Sequence, residues 1–195
     1  MTATRSRREP NTAQRILDVA ERLVQSRGFN GFSYANVAAE LGMTKASLHY
    51  HFPGKAELGE ALIVRYAARF ADALERIDAG TGDAPAKLDA YAGLYAEVLR
   101  GGRMCLCGIL AAEYETLPEP MREAIVGFFD DNVTWLTHVL AQGLSDDTLS
   151  FQGSPAEEGQ TILSGLEGAM LVARPYGDLG RFQSAATRLL ARLAR

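Results

Sequence analysis

The stretch Gly42-Met43-Thr44-Lys45-Ala46-Ser47-Leu48-His49-Tyr50-His51-Phe52-Pro53-Gly54-Lys55 is the densest polar cluster of the chain, and its reading decides the rest. It holds two of the three histidines and the first two lysines. Three chemistries compete for it. A metal pair on a helix needs ligands three or four residues apart, as in His-Glu-x-x-His. His49 and His51 are two apart, so their rings point to opposite sides of a helix, and His138 is remote in sequence. A phosphate-binding loop would need glycine at position 49 and Ser or Thr at 56, where the chain has His49 and Ala56. The third possibility is nucleic acid. Two short capped helices joined by a glycine-containing turn are the helix-turn-helix arrangement, whose second helix enters the major groove.

The local signals fit that arrangement. Ser33 can cap a helix over Tyr34–Leu41, with Val37, Ala38 and Leu41 inward, and Gly42 stops it. Thr44 can cap the next helix, from Lys45 to about Phe52, which Pro53-Gly54 ends. Leu48 and Phe52 are four apart and face inward. Lys45, Ala46, Ser47, His49 and Tyr50 are left facing out. A cation, a small residue, hydroxyls and an imidazole suit phosphates and base edges. Thr44, Ser47 and Tyr50 can donate to phosphate oxygens, and Lys55 opens the following helix within reach of the DNA backbone. The competing reading is a solvated polar face on a short core helix.

Upstream, Thr12 to Arg27 carries Ile16, Leu17, Ala20, Leu23 and Val24 as one stripe of helical period, followed by Gly28 as a C-terminal stop. Downstream, a long helix runs from Lys55 to about Ile77, with Leu58, Ala61, Leu62 and Tyr66 on one face. Asp78 to Asp83 reads as a linker. Further helices are expected at about 84–100, 104–116, 118–141, 155–174 and 178–194. The best strand candidate, Thr148 to Phe151, is too short. The expectation is an all-α chain: a flexible basic tail over 1–11, a three-helix head over 12–55, and a larger helical body over 56–195.

Charge divides the same way. Up to Lys55 there are eight Lys+Arg against four Asp+Glu, and beyond it twelve against twenty, behind a net charge of -4. A basic front on an acidic body suggests that the front meets a polyanion. No stretch approaches the roughly 20 apolar residues of a membrane span. Nothing at the N-terminus reads as a signal peptide. Cys105 and Cys107 are too few and too close for a disulfide framework, so a soluble, cytoplasmic protein is expected. No nucleophile elbow, zinc signature, dinucleotide fingerprint or carboxylate pair with a partner base is present, which argues against an enzyme and against a cofactor or metal. A helical interaction or small-molecule-binding module without DNA is the other alternative.

These residues resemble the N-terminal domain of TetR/AcrR-type transcriptional regulators. The resemblance rests on Ile16-Leu17-Asp18-Val19-Ala20, Arg27-Gly28-Phe29, Ser33 to Leu41 (SYANVAAEL), Gly42 to Leu48, His51-Phe52 and Lys55-Ala56-Glu57-Leu58. It covers about a quarter of the chain closely. It implies a homodimer on a palindromic double-stranded DNA operator, usually a repressor, which a small-molecule inducer releases. The family's DNA-contact positions fall on Ser33, Tyr34, Thr44, Lys45 and Ala46, then on Ser47, His49, Tyr50, His51 and Lys55. Position 49 is commonly tyrosine in the family and histidine here, which gives a shorter side chain that can also simply substitute as a polar contact.

The family usually dimerises through its last two long helices. Ile162, Gly165, Leu166, Ala169 and Met170 form an apolar stripe on the first of these; Phe182, Leu189, Leu190 and Leu193 form one on the second. Ile162, Leu166, Ala169, Phe182, Leu189 and Leu193 are therefore candidate dimer contacts, against the alternative of an intramolecular core. In Met104-Cys105-Leu106-Cys107-Gly108-Ile109-Leu110-Ala111-Ala112-Glu113, spacing places Cys105 in a first helical turn beside Arg103, where a thiol's pKa is lowered. It places Cys107 on the opposite side. Cys105 is thus a candidate sensor, a reading to which the resemblance adds, since some electrophile-responsive members carry a cysteine in a similar Cys-Leu-x-x-x-Leu context. The alternative is two buried cysteines acting as small hydrophobes. Tyr91, Tyr95, Phe128, Trp135, Glu167 and Met170 are candidate linings for a non-covalent ligand, each also readable as core.

Overall fold

Capping and helical periodicity set the local structure before any packing. The computed structural model describes residues 12–80 and 82–193; the basic tail of residues 1–11, Thr81 in the linker and position 194 of the last expected helix lie outside them. Among the described residues there are nine α-helices and no strand. The head is α1 (Thr12–Arg27), α2 (Tyr34–Leu41) and α3 (Lys45–His51), and α4 (Lys55–Gly80) leads out of it. The body holds α5 (Ala84–Arg100), α6 (Leu106–Ala111), α7 (Glu119–Ser145), α8 (Pro155–Ala173) and α9 (Leu179–Ala191). Single 3-10 turns at Tyr114–Thr116 and Arg174–Tyr176 follow α6 and α8.

The α1 stripe Ile16, Leu17, Ala20, Leu23 and Val24 is buried, as its period requires. Ser33 caps α2 with a reciprocal bond from its own amide to the Asn36 side chain at 2.8 Å. Gly42 ends α2 at φ 64°, in the left-handed region that glycine enters without strain. Thr44 caps α3 by accepting the Ser47 amide at 3.1 Å. Leu48 is fully buried among the head's apolar side chains and pins α3 to the core. Truncating such a leucine to alanine costs about 2–5 kcal/mol. On the outside of α1, Glu21 takes Arg65 of α4 at 2.7 Å and also Arg69, while Arg65 reaches Asp18 at 2.7 Å. This network fixes α4 to the head.

The body differs from the sequence expectation in four places. The linker is shorter than Asp78–Asp83, because α4 continues to Gly80 and Asp78 accepts bonds from Lys87 at 2.8 Å and Trp135 at 2.9 Å. The helix expected over 104–116 is a short α6, a break and a 3-10 turn. The Met104 amide bonds the Gln25 carbonyl at 3.1 Å and the Cys105 amide the Met170 sulfur at 3.4 Å, so the first residues are held extended by tertiary partners. Finally, α7 runs on to Ser145 and α9 stops at Ala191. Phe70 lies at the centre of the body's aromatic core, with Tyr66, Tyr91, Tyr95 and Phe128 around it at 5.2–6.1 Å between ring centroids. Among the described residues no helix is long and apolar enough to cross a membrane.

Candidate nucleic-acid interface and sensor centre

One side of α3 is free. Thr44, Lys45, Ala46, His49 and Tyr50 are exposed, Ser47 and His51 are half-buried, and Tyr50 stands out at 86% exposure. Its ring meets that of His51 edge-on, 5.3 Å between centroids. His49 is steadied from behind: its Nδ1 lies 2.9 Å from the Pro53 carbonyl and its ring leans on Tyr34 at 4.8 Å. Ser33, at the exposed start of α2, shares a shallow groove with Ala35, Lys45, His49 and Lys55.

Two of the expected contact residues are placed differently from the others. Tyr34 is buried, and its hydroxyl lies 2.9 Å from the Phe52 carbonyl and 2.6 Å from that of Gly54. Burial pushes its pKa up to about 12, so it stays a neutral donor. The side chain is a brace between α2 and the turn into α4. The Lys55 ammonium sits over the rings of Phe29 and Phe32, 4.6 and 4.5 Å from their centroids. Desolvation lowers its pKa, with the Glu113 carboxylate opposing. It forms the back wall of the groove.

Glu113 itself was visible in the sequence only as the end of the cysteine segment. It accepts the Phe29 amide at 2.6 Å and the Asn30 amide at 3.2 Å, clamping the loop between α1 and α2 to the body. Gly28 permits this contact: its φ is +81°, and a Cβ there would lie 2.5 Å from Glu113 Oε1. Asn30 adds a bond to Thr116 at 2.8 Å.

A few residues upstream of Glu113 is the cysteine segment, Met104 to Gly108. Spacing predicts Cys105 inside a helix with a lowered pKa; the structure places it at the N-cap, 1% exposed, with Cys107 equally buried. Arg103 turns toward Gln25 at 3.3 Å. Burial, the Glu167 carboxyl and Cys107 push the Cys105 thiol well above its ordinary range, and burial and Glu167 do the same for Cys107. Since Cys105 precedes the first turn, the two thiols do not lie on opposite faces of one helix. The Tyr66 hydroxyl is 3.6 Å from the Cys105 sulfur.

Glu167 is the unusual group of this centre. The residue as a whole keeps partial exposure, but its Oε1 is inaccessible and has no hydrogen-bond partner. A Cβ on Gly108 would lie 2.1 Å from its Oε2, so the missing side chain makes the room the carboxyl occupies. Burial raises its pKa from 4.5 to about 7, and the Cys105 thiol pulls the other way. Tyr91, Tyr95, Phe128 and Met170 are packed solid beside it. Trp135 is at the periphery, stacked on Tyr91 at 5.4 Å.

The expected dimer stripes point inward. Ile162, Leu166, Phe182 and Leu193 are at most 1% exposed within the single chain, so they are spent on the core and cannot form a second interface. Ala169 and Leu189 are partly buried, and Leu189 fills the space over bare Gly165. At the end of α8 and in the turn after it Leu171, Val172 and Tyr176 are 59%, 62% and 62% exposed, with the Arg181 guanidinium 3.9 Å from the centroid of the Tyr176 ring.

A three-helix head with a polar, solvent-facing second helix of a helix-turn-helix, bolted to a helical body, defines a DNA-binding regulator. Residues 16–62 match the family described as bacterial regulatory proteins, tetR family. A transcriptional regulator of the TetR family from Agrobacterium tumefaciens superposes with a TM-score of 0.91 at 30% identity, covering 94% of this chain and 97% of that one. A TetR transcriptional regulator from Legionella pneumophila gives 0.87 at 30% identity, covering 95% and 99%. The HTH-type transcriptional repressor NemR of Escherichia coli (strain K12) is 28% identical over 173 residues, 85% of each chain. The chain belongs to the TetR family of bacterial regulatory proteins, whose members bind DNA.

Proposed function

We infer that the chain is a homodimeric repressor of transcription: two heads read a palindromic operator through α3, and an inducer acting on the body releases them. In this reading residues 12–55 are the DNA-binding unit and 56–195 the ligand-binding and dimerisation unit. The observation that carries it is the Glu113 clamp, because it joins the sensor segment to the loop that positions α2 and α3. Thr44, Lys45, Ala46, Ser47, His49, Tyr50 and His51 supply the DNA face, with Ser33 at its edge and Tyr34 and Lys55 behind it. NemR, similar over most of the chain, is named a repressor, which supports the sign of regulation.

The dimer forms through the outward faces of α8 and α9, with Leu171, Val172 and Tyr176 at its centre and Ala169 and Leu189 at its edge. The inducer acts at Cys105, Glu167 and Met170, with Tyr91, Tyr95, Phe128 and Trp135 behind them. The test is a gel shift with the chain's own upstream DNA. Binding is expected to be sequence-specific and to fall steeply with salt. A shift without salt or sequence dependence refutes the DNA reading. Cys105 is 1% exposed and its thiol is held protonated, so N-ethylmaleimide is expected to reach it only as α6 opens, releasing DNA slowly from the wild type and leaving the Cys105→Ser complex intact. An equal response of the two refutes Cys105 as sensor.

A further inference from the structure

A groove of about 320 Å³ opens where three helix ends meet in the body. The end of α5 and the turn after it give Leu99, Arg100 and Gly102; the end of α8 gives Ala173 and the 3-10 turn after it Arg174; the N-cap and first residue of α9 give Asp178 and Leu179. It shares no lining residue with the DNA face or with the Cys105–Glu167 centre. The volume is at the small end of ligand pockets, which run from about 300 to 1,000 Å³.

Its charges are not equivalent. Arg100 pairs with Glu97 on its own helix. Asp178 is occupied as the cap of α9, accepting the Gly180 amide at 2.9 Å, and lies 3.6 Å from Arg181. Among the described residues Arg174 has no carboxylate within ion-pair distance. Its guanidinium donates to the backbone carbonyl of Ser26, in the last turn of α1. A half-buried guanidinium that meets a single neutral acceptor leaves most of its donors unused. A carboxylate would replace that carbonyl with a charge-assisted bond of about twice the strength. Leu99, Ala173 and Leu179 supply an apolar wall beside it.

We propose that this groove binds a small organic monoanion, a carboxylate on a short aliphatic chain, with the anion on Arg174 and the chain against Leu99 and Leu179. The ligand competes with Ser26 for the guanidinium. Ser26 is two residues before Gly28 and the clamped loop, so occupancy loosens the end of α1 and gives the head a second input. An organic cation meets two arginines and is repelled. A neutral alcohol gains only the apolar wall.

Isothermal titration of the full chain with hexanoate tests this, with hexanol and hexylamine as controls. Hydrogen exchange of the amides of residues 26–30 supplies the second readout. Hexanoate is expected to bind saturably and at least tenfold more tightly than either control, and Arg174→Gln to lose at least tenfold. Leu179→Trp, which fills the groove and keeps Arg174, is expected to weaken binding by a similar factor. Exchange at residues 26–30 is expected to quicken with hexanoate in the wild type. No hexanoate binding, equal binding of hexanol, or unchanged binding in Leu179→Trp overturns the site, even where Arg174→Gln does not fold. Binding without faster exchange overturns the competition with Ser26.

Discussion

Replacing Glu167 by glutamine tests the buried carboxyl of the Cys105–Glu167 centre. The carboxyl is enclosed, Oε1 has no partner, and the titratable groups facing it are all acids: Cys105 and Cys107 at α6, Tyr66 on α4, and Tyr91 and Tyr95 on α5. No Lys or Arg among the described residues pairs with it. Burial raises its pKa from 4.5 to about 7. Below pH 4.5 folded and unfolded chains both carry the proton, and nothing is lost. As pH rises through 4.5 the unfolded chain releases it while the folded chain keeps it, so stability falls until the folded carboxyl ionises near pH 7. The full drop is about 3 kcal/mol, a ceiling because the stem of the residue meets solvent. Glutamine cannot ionise. Urea unfolding at fixed protein concentration should show the variant close to wild type near pH 4 and more stable by up to about 3 kcal/mol near pH 8. A difference between the two proteins that stays flat across this range refutes the buried, unpaired carboxyl.

Lys45→Ala should weaken DNA binding across all sequences and reduce the slope of log K against log salt by about one, with the dimer intact by sedimentation. Loss of the dimer would place Lys45 in the core. Tyr34→Phe removes the hydroxyl held by the Phe52 and Gly54 carbonyls and should cost about 1 kcal/mol in a melt, because it leaves buried carbonyls short of a donor. An unchanged melting temperature would mean water replaces the brace freely. Val172→Glu should yield a folded monomer by sedimentation with unchanged helical circular dichroism, and a persistent dimer would put the interface elsewhere. Glu113→Gln should quicken hydrogen exchange at Phe29 and Asn30 and weaken operator binding while α3 stays intact. Exchange no faster than wild type would remove the clamp from the mechanism.

The head was legible because its signals are local. The Ser33 and Thr44 caps, the Gly42 stop and the α1 stripe each act within four residues of themselves. The body was less legible where long-range contacts override local preference. Met104 and Cys105 look helical in sequence, yet their amides are taken by Gln25 and Met170. Asp78 looks like the start of a linker, yet Lys87 and Trp135 hold it in α4. On α8 two apolar faces compete: Ile162, Leu166 and Met170 point in, and Leu171 and Val172 point out. Periodicity marks both faces and cannot say which one a second chain covers. Glu167 follows Leu166 on that helix, and nothing in its neighbours announces that the carboxyl folds back over Gly108.

The placement of these contacts bears on how a body signal reaches DNA. The body touches the C-terminal end of α1 and its loop through Glu113 to Phe29 and Asn30, Met104 to Gln25, Arg103 to Gln25, and Arg174 to Ser26. All of these fall within six consecutive residues. The rest of α1 is held to α4 by Arg65, which reaches Gln14 near the N-terminal end and Asp18 and Glu21 in the middle. If Cys105 or Arg174 takes up a ligand as proposed, the shift acts on one end of a helix that Arg65 holds along the rest of its length. Such a load tilts α1 more readily than it translates it, and Leu48 hands the tilt to α3 through the shared core. Two heads on one duplex need their recognition helices about 34 Å apart. A small rotation of each head is then enough to lose one half-site, and no unfolding of the head is required.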